Sequence, residues 1–224
     1  IQQGVKFVTT SAGDPTKYTK QLQDAGLIVF HVVPTLKTAL KAVAAGVDGL
    51  VVEGGEGGGF KSPQDVSTMV LLPLVASKVD VPIIAAGGIC DGATMAAAFA
   101  LGAQGVQMGT RMVSAVESPV HANWKSAIIK AAETDTVFLN RFSRPGLRAL
   151  RTARTTKLEH DDHVGMEQFG TAKDLYFGGD MEASIALSGQ VVGRIDEILP
   201  VRQIIHETMR QFYEACRSLA QFMG

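Results

Sequence analysis

The sequence is poor in several things at once, and each absence closes a line of reading. Among 224 residues there are two cysteines, one tryptophan and three tyrosines, and the charges nearly cancel at a formal net of −1. A near-zero net charge argues against electrostatic binding to nucleic acid or to an anionic membrane. No apolar run approaches the ~20 residues that a membrane-spanning helix needs. Cys90 and Cys216 stand far apart and fit no Cys-x-x-Cys or zinc pattern. They read as free thiols of a reducing cytoplasm, and no metal site is expected. No dinucleotide glycine fingerprint follows the first strand, and no P-loop lysine follows a glycine run.

What is present is a repeated strand and helix pattern. Residues 5–10, 27–33, 49–54, 81–88 and 105–110 are short runs, apolar nearly throughout. Unbroken apolarity marks parallel strands covered on both faces. Helical periodicity lies between them, over residues 16–25, 36–43, 69–79 and 92–101; Gly46 stops the second of these. This is the α/β class, either an open doubly wound sheet or part of a (β/α)8 barrel. From about Trp124 the chain turns more polar and reads as helical, without a strong strand. Residues 180–195 read as a helix leading to Gly189 and Gly193. Residues 201–223 read as an amphipathic helix with Ile204, Ile205, Met209, Phe212, Cys216 and Leu219 on its stripe. The expected division is barrel units over 1–125, an inserted helical lobe over 126–189, and C-terminal helices over 190–224 that pack back on the barrel. The arginine-rich run 141–154 is read first as a solvated, salt-bridged helix face and second as an anionic substrate entrance.

In parallel α/β folds, ligands bind where strands end. Three of the five strand ends here are rich in glycine: "EGGEGGGF" (53–60), "AAGGI" (85–89) and "MGT" (108–110). Gly87 and Gly88 alone would need only a tight turn. Paired with Met108, Gly109 and Thr110 about 20 residues later, they match the backbone phosphate grip that barrels build after their last two strands.

The segments "GVDGLVVEGGEGGGF", "LLPLVASKVDVPIIAAGGICDGATMAAAFALGAQGVQMGTRMV", "ESPVH" and "GDMEASIALSGQVVGRI" together resemble the nitronate monooxygenases. These are FMN-dependent TIM-barrel enzymes related to flavin-containing enoyl-acyl-carrier-protein reductases. The resemblance implies a (β/α)8 barrel whose strands 4 to 8 are visible here, so the start at Ile1 reads as the continuation of a longer chain lacking about three βα units. It implies FMN, its phosphate held by Gly87, Gly88, Gly109 and Thr110 with Ala86, Gln107 and Met108 nearby. Gly58 and Gly59 would lie against the flavin or its ribityl chain, and Ser11 and Ala12 at the ring edge. Glu53 or Glu56 would bond the ribityl hydroxyls; each also reads as a plain loop charge.

Two positions depart from the family. Most relatives close the first glycine loop with a histidine thought to take the substrate's proton or to orient the substrate; this chain has Phe60, which cannot act as a base and reads as a substrate wall. Val32 stands where some members keep a lysine. The replacement candidates are His31 (read first as a buried, hydrogen-bonded residue), Lys61 (read as solvated), Glu56 and His121 (read as structural). The implied activity is oxidation of alkyl nitronates by O2 to a carbonyl compound and nitrite. The alternatives are NAD(P)H-dependent reduction of an enoyl thioester or quinone, a flavin-binding homologue impaired in catalysis, and, ranked lowest, a relative of inosine monophosphate dehydrogenase. The expected partner is a small molecule, and a homodimer is compatible with the sequence.

Overall fold

In the computed structural model, residues 3–11 and 13–223 are described; Ile1, Gln2 and the expected ring-edge residue Ala12 lie outside them. Among the described residues, eight strands follow one another: β1 (Phe7–Thr10), β2 (Ile28–Val33), β3 (Gly49–Glu53), β4 (Gly59–Lys61), β5 (Ile83–Ala86), β6 (Gly105–Gln107), β7 (Thr136–Leu139) and β8 (Gly146–Leu150). Residue contacts divide the chain into two compact units.

The first unit, residues 1–55, 66–86 and 97–107, carries the parallel sheet β1-β2-β3-β5-β6. Its strands lie in chain order with no reversal. A doubly wound sheet reverses its order at a switch point, whereas a (β/α)8 barrel does not; this is the barrel pattern. Leu50, Val51 and Val52 are all fully buried in succession, as expected for a strand covered on both faces. The helix Leu36–Ala44 begins with a capping box in which Thr35 and Thr38 exchange side-chain and backbone bonds. The register aligns Glu53 with Ala86 and Ala86 with Gln107, so these three share one row at the carboxyl end of the sheet.

The second unit, residues 56–65, 87–96 and 108–224, overturns the helical reading of the second half. Strands β7 and β8 form an antiparallel hairpin, and β4 adds to its other side in the order β4-β8-β7. The expected helix over 180–195 is also absent: that stretch is turn and extended chain, ending in a 3-10 segment, Gln190–Arg194. Its apolar residues are buried all the same, with Ala186, Val192 and Ile195 packed in a core with Trp124, Ile128 and Leu175. A second cluster gathers Val137, Leu139, Leu147, Ala149, Val164 and Ile185. Asn140, at φ +59°, closes the hairpin by accepting from the Val164 amide at 2.6 Å and donating to the Pro145 carbonyl at 2.8 Å. Residues 141–150 of the arginine-rich run are therefore hairpin rather than helix face; Arg151 pairs with Glu159 at 2.7 Å, and Arg154 lies on the short helix Ala153–Leu158. Arg148 is buried, with its guanidinium 3.6 Å from Asp65 and stacked over the Phe138 ring. The amphipathic helix is present as Val201–Ala220. Among the described residues no helix is long and apolar enough to cross a membrane.

Candidate functional site

Three strand-end loops of the second unit carry most of the expected site residues. Gly87 and Gly88, directly after β5, both adopt left-handed backbone, at φ +83° and +76°. Two adjacent left-handed residues turn a chain sharply, and only glycine does this without a Cβ penalty. Gly59, at φ +86°, opens β4 in the same way. The space beside these loops is the informative quantity. A Cβ on Gly59 or on Gly109 would meet nothing within 4 Å, and the nearest atoms to one on Gly88 are those of the Glu56 side chain, at 3.7 Å or more. Open room beside bare backbone is what a ligand approaching peptide groups requires.

Elsewhere residues 188–190 press closely on the loops. A Cβ on Gly58 would lie 2.6 Å from the Ser188 carbonyl carbon. The Gln190 amide donates to the Glu56 carbonyl at 2.9 Å. Thr110 is buried, and its hydroxyl accepts from the Gly189 amide at 2.9 Å. The expected phosphate donor therefore also has a structural bond that the sequence did not signal. Ser188, Gly189, Gln190 and Arg194 are participants that sequence reading missed. Their signals in the sequence are the glycine pair 189 and 193 and the resemblance carried by "GDMEASIALSGQVVGRI", neither of which gives them a role.

The charges around the second loop form a connected group. Asp91 accepts from the Thr94 amide and hydroxyl, each at 2.8 Å, and forms an ion pair with Arg194. Burial alone would raise the Asp91 carboxyl, but the Thr94 bonds and Arg194 together hold it below the usual carboxylate range. Burial, followed by the Asp91 charge, pushes the Cys90 thiol up, so Cys90 stays neutral. Burial lowers Arg111, which is fixed by a 2.8 Å bond to the Glu197 carbonyl.

Phe60 is about half exposed on β4, opposite Leu147, with its ring 6.5 Å from that of Phe169. Lys61 is buried rather than solvated, because β4 turns it inward. His121 caps the helix Ala122–Lys130 by accepting from the Asn123 amide.

The other expected residues lie in the first unit. Glu53, Ala86 and Gln107 share the row already described. His31 is buried, with Nδ1 2.8 Å from the Thr10 hydroxyl. Burial holds its pKa below the ordinary histidine value, against the opposing pull of Asp14. With Thr10, Ser11, Asp14 and Tyr18 it lines a cleft of about 440 Å3.

The family model described as nitronate monooxygenase matches residues 1–211. A curated protein of Rhodococcus jostii named "(3aS,4S,5R,7aS)-5-hydroxy-7a-methyl-1-oxo-octahydro-1H-indene-4-carboxyl-CoA dehydrogenase" is 35% identical over 164 residues, 73% of this chain and 46% of its own length. A probable nitronate monooxygenase of Staphylococcus saprophyticus is 30% identical over 175 residues, 73% of this chain and 49% of its own. The chain thus spans about half the length of the curated relatives it matches. Among solved structures, FabK from Thermotoga maritima superposes with a TM-score of 0.93 at 40% identity, covering 99% of this chain and 72% of that one.

Proposed function

The chain belongs to the nitronate monooxygenase family, and we propose that it contributes the FMN-phosphate cradle of a flavin-dependent oxidoreductase that oxidises alkyl nitronates. The observation that carries the cofactor reading is the open space at Gly59, Gly88 and Gly109, where a Cβ would meet little or nothing. Gly87, Gly88, Gly109 and Thr110 would hold the phosphate through backbone amides and one hydroxyl. Gly58, Gly59 and Met108 would flank it. When bound, the flavin supplies the electron transfer between substrate and oxygen.

Phe60 governs the choice of reaction. A general base contributes roughly 10²–10⁴-fold where a proton must be removed, and a phenyl ring supplies none of that. An alkyl nitronate arrives already deprotonated, so the missing base does not matter for it. The chain's own work is then to position the anion and to exclude water with the Phe60 and Phe169 rings.

A second reading is favoured by the FabK likeness and by the CoA dehydrogenase relative: reduction or oxidation of a hydrophobic thioester. The same half-exposed Phe60 would then wall an apolar acyl group.

The experiment begins with an absorbance spectrum of the full-length protein. Flavin bands followed by nitrite release from a nitronate in air support the first reading. Rapid bleaching by NAD(P)H without oxygen, reversed by an enoyl thioester, supports the second. A colourless protein that FMN does not reconstitute sinks both.

A further inference from the structure

We infer that residues 188–194 form a strap that fixes the three glycine-rich loops in one arrangement, with Arg194 and Asp91 as its positioning pair. The observation is a single short segment bonded to all three loops. Gln190 donates to the Glu56 carbonyl of the first loop, and Gly189 donates to the Thr110 hydroxyl of the third. Arg194 pairs with Asp91, the residue that ends the second loop.

The strap is itself anchored. Ser188 is fully buried, and its hydroxyl accepts from the Trp124 indole at 3.2 Å. Val192 is fully buried in the core around Trp124, and Gly193 sits so close to Glu133 that a Cβ there would lie 2.3 Å from its amide nitrogen. A segment pinned to the core on one side and to three loops on the other transmits the rigidity of that core to the loops.

Asp91 is suited to the junction because its two oxygens do different things. Oδ1 accepts from Thr94, whose hydroxyl in turn accepts from the amides of Cys90 and Asp91 at 3.1 Å, and Oδ2 takes Arg194. The next residue, Gly92, donates to the Gln211 side chain at 3.1 Å. The Arg194 side chain is half exposed, so the pair adds little stability through charge alone. Its effect is geometric: it sets where the Gly87-Gly88 turn sits relative to Gly109.

As a cofactor-positioning device the strap rests on the phosphate-cradle reading, so the test separates the two. The full chain, its Arg194→Gln variant and its Arg194→Lys variant are compared by amide hydrogen exchange without ligand and by titration with FMN and with riboflavin, which lacks the phosphate. For Arg194→Gln, exchange at the Gly189 and Gln190 amides is expected to rise at least tenfold while the β7–β8 ladder is unchanged. FMN should bind at least tenfold more weakly and riboflavin as before, and Arg194→Lys should restore most of the loss. Unchanged exchange and FMN affinity in Arg194→Gln overturn the strap. Exchange that rises across the whole unit also overturns it, because the pair then serves general stability. A wild type that binds FMN and riboflavin alike sinks the cradle reading, and the exchange result still decides the strap.

Discussion

Gly58 and Gly189 meet backbone to backbone: a Cβ on Gly189 would stand 3.0 Å from the Gly58 amide nitrogen and 2.6 Å from the Glu56 carbonyl oxygen. Neither position has room for a methyl group, and Gly189 lies at φ −88°, so contact rather than backbone strain demands glycine there. Gly189→Ala is expected to destabilise the protein by about 1–3 kcal/mol, as overpacking does, read as a lower urea midpoint. Gly109→Ala is the contrast. With φ −95° and nothing within 4 Å, its stability should hold to within about 0.5 kcal/mol. FMN affinity should fall instead, because the methyl group enters the space proposed for the ligand. A variant that loses stability but keeps its flavin would contradict the cradle.

Phe60 is exposed enough to be replaced without unfolding the hairpin. Phe60→His is expected to leave the melting temperature unchanged and to let the enzyme use neutral nitroalkanes, which need deprotonation, at least tenfold better. Initial rates on a nitroalkane and on its nitronate separate the two outcomes. An equal change on both substrates would mean that position 60 shapes binding alone.

Trp124 joins the core to the strap through one indole hydrogen bond. Trp124→Phe keeps an aromatic ring but removes the 3.2 Å bond to Ser188 and leaves a void. The expected loss is about 1–3 kcal/mol, with a weaker hold on FMN that Ser188→Ala shares. Calorimetry and flavin titration together check this.

His31 makes the first unit sensitive to acid. Its folded pKa lies below the ordinary 6.5 because of burial, so below pH 6.5 the unfolded chain takes up a proton that the folded chain resists. Stability from this residue is fully present above pH 6.5, declines as pH falls, and stops declining once the folded residue also protonates. His31→Gln is expected to flatten that part of a melting-temperature profile. An unchanged slope between pH 6.5 and 5 would assign the acid sensitivity to other groups.

The parallel strands were legible because Leu50, Val51 and Val52, covered on both sides, leave an unbroken apolar run. The hairpin was not. β7 contributes only four residues, Thr136 to Leu139, and β8 places an arginine in its middle. Arg148 looks like a surface charge until Asp65 and the Phe138 ring, both distant in sequence from it or across the turn, receive it. The stretch 180–195 misled for a related reason. Its apolar residues are spaced like a helix face, but their neighbours Trp124 and Leu175 settle the conformation, and periodicity carries no information about them. The glycine loops were visible as composition. That the Gly189 amide, 79 residues beyond Thr110, donates to its hydroxyl cannot be read from either segment alone.

The bond from Gly92 to Gln211 joins residues 119 positions apart, and the pair of Asp91 and Arg194 spans 103. Contacts of such separation carry a large loop-closure cost and slow folding. A ribosome that has delivered all five parallel strands has delivered Asp91 but none of residues 188–194, which gather the loops. A nascent chain stalled before Gly189 is therefore expected to leave the loops ungathered however well its strands pair, and to bind FMN more weakly than the full-length protein.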